Sequence, residues 1–159
     1  MTPQFNPAAV VDEEQSSAPE GPKYRSVNLS PKDCAQIARR LDGVMHAQRL
    51  YANPDLKIAD LAAAVGVSTH TLSYVFSQHM QCSYYDYVND RRVEEFKRLL
   101  STGESSRYTL TALASICGFS SRSSFFRYFK KAEGITPSEY MRRMGREGID
   151  QRTEKNSSH

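Results

Sequence analysis

Four arginines and lysines, four serines and two adjacent phenylalanines fall within the fourteen residues Gly118 to Lys131, "GFSSRSSFFRYFKK". These residue types define a narrow chemistry. Arg122, Arg127, Lys130 and Lys131 offer charge-assisted hydrogen bonds to phosphate oxygens, and a guanidinium can also fork across the O6 and N7 acceptors of guanine. Ser121 and Ser123 donate and accept through one hydroxyl, and the ring of Phe126 suits an apolar partner such as a thymine methyl. Nothing here resembles a nucleophile with its base, or a set of metal ligands. A solvated basic face with no partner would carry the same charge, so the pattern has to decide between the two.

At about 100° per residue along a helix, Phe125, Tyr128 and Phe129 share one face, which must be core. Ser123, Phe126, Arg127 and Lys130 occupy the opposite face, with Arg122 near the exposed start. The apolar residues hold the helix down while the cations and serines point outward. Phe126 is the odd member, because an isolated helical hairpin has no use for a ring on that face. It either packs against a neighbouring segment or meets a ligand.

The stretch has a counterpart earlier in the chain. "IADLAAAVGVSTHTLSYVF" (58–76) resembles "LTALASICGFSSRSSFFRYF" (110–129). At one register Ile58, Leu61, Ala62, Val65, Gly66 and Val67 fall on Leu110, Leu113, Ala114, Cys117, Gly118 and Phe119. One residue further along, Leu72, Phe76, Ser83 and Tyr87 fall on Phe125, Phe129, Thr136 and Tyr140, so the second turn is one residue longer. Each copy places a small residue (Ala62, Ala114) where two helices approach, and a glycine (Gly66, Gly118) where a tight turn needs positive φ. Ser68 and Ser121 are suited to cap the following helix. This is the recipe of a helix-turn-helix, whose second helix enters the major groove of DNA. One match is weak, whereas two in tandem are a strong signal.

The elements that must carry these units are all helical. Ser30 and Pro31 open a helix whose apolar positions, Cys34, Ile37, Leu41, Val44, Met45 and Leu50, lie on one face, and Pro54 closes the segment. Helices follow at about 58–65 and 69–78, then a long one from Ser83 to about Leu100. Polar "STGESSRY" separates it from a helix capped by Thr109, another from about Arg122, and a last one after Pro137. No alternating strand pattern appears. The fold class expected is therefore all-α: two helix-turn-helix subdomains, at about 30–82 and 109–146, joined by a linker helix at about 83–101. Residues 1–29 hold four prolines without periodicity and read as a flexible lead, and 147–159 read as a frayed tail.

Residues 30–144 resemble the DNA-binding domain of AraC/XylS-type transcription regulators. The resemblance rests on "GFSSRSSFFRYFKKAEGITPSEYMRR", where Gly118, Phe119, Phe125, Phe129, Lys130, Gly134, Pro137 and Tyr140 stand at signature positions. "ADLAAAVGVSTHTLSYVF" and "YDYVNDRRVEEFKRLL" match the first unit and the linker helix. It implies a seven-helix domain that binds promoter DNA sequence-specifically, with two recognition helices in successive major-groove segments of the double strand. It implies base-edge contacts by His70, Ser73 and Tyr74 in the first recognition helix and by Arg122, Ser123 and Arg127 in the second. Thr69, Ser121, Phe126, Lys130 and Lys131 complete the DNA-contact set. RNA polymerase and a sensor domain or second copy are the further partners it implies, with a cytoplasmic location and no cofactor. "KYRSVNLS" resembles the junction of members whose N-terminal half is embedded in a membrane, so the segment reads as the cytoplasmic end of a larger protein or as a short stand-alone regulator. Two positions depart from the family pattern. Gln81 stands where a glycine is common, and Phe96 where the linker helix usually has a small residue.

Composition sets the alternatives aside. Net charge is +3, yet residues 1–30 carry four acids (Asp12, Glu13, Glu14, Glu20) against Lys23 and Arg25, so the excess lies further on. Between Ser120 and Arg146 seven cations (Arg122, Arg127, Lys130, Lys131, Arg142, Arg143, Arg146) face only Glu133 and Glu139, the footprint of a nucleic-acid binder. Cys34, Cys82 and Cys117 are odd in number and far apart, which suits free thiols in a reducing compartment. His46, His70, His79 and His159 lack metal-ligand spacing, and no phosphate loop or Gly-x-Ser-x-Gly elbow occurs, so catalysis is not expected. A helix-turn-helix used only for protein contacts would want uncharged outward faces on both units, and the second copy contradicts that.

Overall fold

The computed structural model describes residues 27–145; the expectations for 1–26, Arg146 and the tail lie outside the described residues. Among these, seven helices and no strand are found. They are α1 (Pro31–Gln48), α2 (Ile58–Val65), α3 (Thr69–Tyr74), α4 (Tyr84–Ser101), α5 (Leu110–Cys117), α6 (Arg122–Glu133) and α7, which runs over 137–145. Helix α3 continues as a wider π-helical turn, Val75–Met80, and single 3₁₀ turns occupy Leu50–Ala52 and Glu104–Arg107.

Short polar side chains set the helix starts. Ser30 Oγ accepts from the Asp33 amide at 3.1 Å while the Asp33 carboxylate accepts from the Ser30 amide at 3.0 Å, a closed capping box with Pro31 at the first helical position. Ser68, Ser83, Thr109 and Ser121 each accept an amide three residues on, at 2.9–3.1 Å. A cap of this kind stabilises by about 1 kcal/mol.

The apolar faces pack into two cores. Leu41, Met45, Leu61, Leu72, Val75 and Phe76 lie in the first, and Val93, Leu113, Phe119, Phe125 and Phe129 in the second. Helix α4 belongs to both: its first half supplies Tyr87 and Val88 to one, its second half Val93, Phe96 and Leu99 to the other. Phe96, the large residue at a usually small position, is fully buried, with its ring 4.9 Å from that of Phe125 and 5.5 Å from that of Phe129. The linker helix thus reaches into the second core, and truncating Phe96 to alanine would cost about 3–5 kcal/mol.

Polar joints complete the frame. Tyr87 donates to Asp42 Oδ1 at 2.6 Å and Arg91 to the same oxygen at 2.9 Å, tying α4 to α1. Glu95 is buried and accepts from Arg98 on its own helix and from Arg49 beyond the end of α1, both at 2.8 Å. The Arg98 hydrogen bond, reinforced by the charges of Arg98 and Arg49, outweighs burial and holds the Glu95 carboxyl below its usual range. Burial in the second core pushes the Cys117 thiol up to about 12, so this cysteine behaves as a small apolar side chain.

Candidate nucleic-acid interface

The repeat in sequence is a repeat in space. In the first unit the Val67 amide reaches back to the Ala62 carbonyl at 3.0 Å, and in the second the Phe119 amide reaches the Ala114 carbonyl at 3.0 Å. Gly66 (φ 83°) and Gly118 (φ 109°) sit at the left-handed position of each turn. Three residues separate α2 from α3 and four separate α5 from α6, the one-residue difference expected from the shift in register. Ser68 and Ser121 are the two N-caps, so Thr69, His70, Ser73, Tyr74, Ser77 and Gln78 correspond to Arg122, Ser123, Phe126, Arg127, Lys130 and Lys131.

In α6 the inward side is Phe125, Tyr128 and Phe129, all buried. Ser123, Arg127 and Lys130 are exposed and lie within roughly 60° of arc on the far side. Arg122 is exposed at the first turn, and no acid interrupts the surface between Gly118 and Ala132. In α3 and its π-helical continuation the inward side is Leu72, Val75 and Phe76, also buried, while His70, Ser73 and Tyr74 are half-buried and Thr69 and Ser77 exposed. The second unit thus carries an open outer face, whereas in the first the corresponding side chains are only partly exposed and His70 Nε2 is buried.

Two members differ from the expectation of a bare groove-facing surface. Phe126 is half-buried, edge-on to Phe125 at 5.6 Å, with the Arg122 guanidinium 4.8 Å above its ring. It packs on its own core and carries Arg122 on its outer face. Lys131 turns toward the linker helix, 3.1 Å from Asp86 Oδ1 and 5.4 Å from the Tyr128 ring centre. Lys130 makes no ion pair among the described residues.

Gln81 takes the left-handed conformation (φ 53°, ψ 39°) that Gly134 takes at the end of α6 (φ 81°). The first recognition helix ends at the same kind of cap without the glycine, after its last turn has widened. A non-glycine residue in this region is strained by about 1 kcal/mol or more.

Several positioning residues escaped the sequence reading. Arg92 is buried and donates to the Tyr51 carbonyl (2.8 Å), the Asn53 carbonyl (2.9 Å) and Asn89 Oδ1 (2.9 Å). The Tyr128 hydroxyl on α6 lies 2.7 Å from Asp90 Oδ1 and 3.0 Å from the Asp86 carbonyl on α4. One signal was available for Arg92. It falls in line with Val88, Phe96 and Leu99 at helical spacing, so a cation sits inside an apolar stripe.

Two helix-turn-helix units sharing one linker helix, each with a capped second helix and a polar outer face, define a bipartite DNA-binding domain. Residues 61–143 match the family model for a helix-turn-helix domain, and the chain belongs to the AraC/XylS family of transcription regulators. It is similar to the arabinose operon regulatory protein of Salmonella typhimurium, with 31% identity over 103 residues, 65% of this chain and 36% of that protein. The arabinose operon regulatory protein of Escherichia coli K12 is 34% identical over 89 residues, 56% of this chain and 30% of that protein. The chain thus spans about a third of these relatives. Among solved structures, the C-terminal domain of AraT, a response regulator from Geobacillus stearothermophilus, matches with TM-score 0.55 and 26% identity over 67% of this chain and 83% of that one. The C-terminal domain of the response regulator yesN from Fusobacterium nucleatum matches with TM-score 0.52 and 25% identity over 67% and 95%. No helix among the described residues is long and apolar enough to cross a membrane.

Proposed function

We propose that this domain binds duplex DNA at a specific two-part site and acts as a transcription regulator, with α3 and α6 in successive major-groove segments. The observation that carries this reading is the outer face of α6. Ser123, Arg127 and Lys130 stand exposed together on a helix pinned from behind by three buried aromatic residues. Such a face supplies both phosphate neutralisation and base-edge donors. In the first unit, His70, Ser73 and Tyr74 read bases, Thr69 sits at the helix start, and backbone amides there hold phosphate. In the second, Arg122, Ser123 and Arg127 read bases, Ser121 sits at the helix start, Phe126 supports Arg122 and offers a ring edge, and Lys130 and Lys131 supply charge.

The domain binds and does not catalyse. RNA polymerase, and a sensor domain or second copy in a longer parent chain, are the partners this reading adds. Selection of binding sites from random duplex DNA tests it. The expected result is an enriched motif with two conserved segments about one helical turn, 10–10.5 base pairs, apart. Failure to enrich any motif, with binding that ignores sequence, would overturn it. A helix-turn-helix serving protein contacts alone is disfavoured by the acid-free, cation-bearing face of α6.

A further inference from the structure

Gly66 and Gly118 are equivalent in sequence and in turn geometry, yet their surroundings differ sharply. A Cβ on Gly66 would meet nothing within 4 Å, whereas one on Gly118 would lie 2.0 Å from the Tyr51 carbonyl oxygen and 2.8 Å from Arg92 Nε. The second helix-turn-helix is therefore pressed, at its turn, against the 3₁₀ turn that closes α1 in the first half. Arg92 fills the junction. Its guanidinium bonds the carbonyls of Tyr51 and Asn53 from the first half and stands 5.8 Å from the ring centre of Phe119, the residue after the glycine. Tyr128 meanwhile fastens α6 to the start of α4 through Asp86 and Asp90. Helix α3 leads into that same start through Gln81, Cys82 and Ser83.

From this geometry we infer that Arg92, seated between Tyr51 and Gly118, is a positioning residue that sets the separation of the two recognition helices and so the base-pair spacing the domain accepts. The inference rests on the DNA-binding reading and adds a determinant that touches no DNA. Inserting one base pair between the halves of a site moves them by about 3.4 Å and rotates them by roughly 35°. Two reading modules gain from each other only when their geometry lets both engage, a gain of about 10²-fold or more. A rigid joint makes that gain depend sharply on spacing. A loosened joint lowers the gain and spreads it over several spacings.

The test compares the 159-residue chain with Arg92→Gln on selected sites carrying zero, one or two extra base pairs between the halves. Wild type is expected to lose about 10²-fold on the first insertion, and the variant tenfold or less, with weaker binding at the native spacing. A second measurement needs no DNA: backbone residual dipolar couplings fitted separately to 31–80 and 110–145. One alignment tensor should describe both halves of wild type and fail for the variant. Should Arg92→Gln not fold, Arg92→Lys and Gly118→Ala open the same joint from its two sides. A folded variant that keeps one tensor and the full spacing penalty, losing affinity equally at every spacing, overturns the inference. If wild type selects no site, the DNA reading falls, and the couplings alone decide whether Arg92 holds the halves together.

Discussion

The Lys131 ammonium lies 3.1 Å from Asp86 Oδ1 on the first turn of the linker helix, while its neighbour Lys130 stands exposed with no ion pair among the described residues. Two adjacent lysines of one recognition helix are thus committed differently. Each phosphate neutralised on duplex DNA contributes about 0.9 to the slope of log K against log salt. Lys130→Ala is expected to flatten that slope by about 0.9, and Lys131→Ala by distinctly less, because its charge already leans on a carboxylate. Lys131→Ala should instead remove the tie to Asp86, worth about 0.2–1 kcal/mol for an exposed pair. Equal slopes for the two variants would refute this division.

Arg127 occupies the outward position of α6 that Tyr74 occupies in α3, with no acid nearby on the same face. Arg127→Ala is expected to cost about 1–3 kcal/mol in specific binding and to relax preference at a single base pair. Quantitative binding across a panel of single-base variants measures this. A loss uniform over the whole panel would make Arg127 a phosphate contact.

Phe126 tests how far a ring on the outer face is structural. An open, groove-facing ring could be truncated without harm to folding, but edge-on contact with Phe125 and the Arg122 guanidinium above it change that expectation. Fully buried phenylalanines cost about 3–5 kcal/mol on truncation; this half-buried one should cost about 1–2 kcal/mol in chemical denaturation, in keeping with its lesser burial. Phe126→Leu should restore most of the stability while leaving the Arg122 contact, and hence specificity, impaired. Stability unchanged in Phe126→Ala would return the ring to the groove alone.

Glu95 gives the acid response a definite sign. Its carboxyl is held below the usual range by the Arg98 hydrogen bond and by the charges of Arg98, Arg49 and His46, against the opposing effect of burial. A depressed folded-state pKa stabilises fully above the unfolded value of about 4.3, and that stability drains away as pH falls through the folded value. Asp42 contributes in the same direction: burial raises its pKa, but hydrogen bonds from Tyr87 and Arg91 and the charges of Arg91 and His46 more than reverse this. Unfolding free energy should therefore decline below about pH 4.3. Glu95→Gln should be less stable at neutral pH and show a shallower acid decline, with the Asp42 share remaining. An identical acid limb in the variant would exclude Glu95 as a source.

Helix starts and both recognition helices were legible because their signals are local. Ser30, Ser68, Ser83, Thr109 and Ser121 cap within three residues of themselves, and the buried triplets 72, 75, 76 and 125, 128, 129 follow helical period. What stayed hidden depends on contacts across long separations. The place of Arg92 in an apolar stripe hints at burial, but its partner, the Tyr51 carbonyl 41 residues away, is visible only in the fold. Gly118 reads like Gly66 until the first half is found against it. The widened turn Val75–Met80 and the left-handed Gln81 carry no glycine to announce them. Lys131 looked like Lys130 because sequence separation from Asp86 gave no hint of proximity.

The two recognition helices should divide the work of binding. From Ser68 to Gln78 the first contains no lysine or arginine, whereas the second carries Arg122, Arg127, Lys130 and Lys131. His70, Ser73 and Tyr74 are each half-buried against their own unit, with His70 Nε2 itself buried, and none of the three is a lysine or arginine. Replacing these three by alanine is expected to leave the salt slope within about 0.5 of wild type, because no phosphate-neutralising cation is lost. Preference at the base pairs under α3 should erode, while preference under α6 persists. Neutralising Lys130 and Lys131 together should do the reverse, flattening the slope by roughly 1 to 1.5 and leaving base preference largely in place. Salt titrations on one selected site, paired with selection on a library randomised at each half separately, measure both quantities. A triple-alanine variant whose slope falls as far as that of the lysine pair would mean that the first recognition helix also anchors the domain.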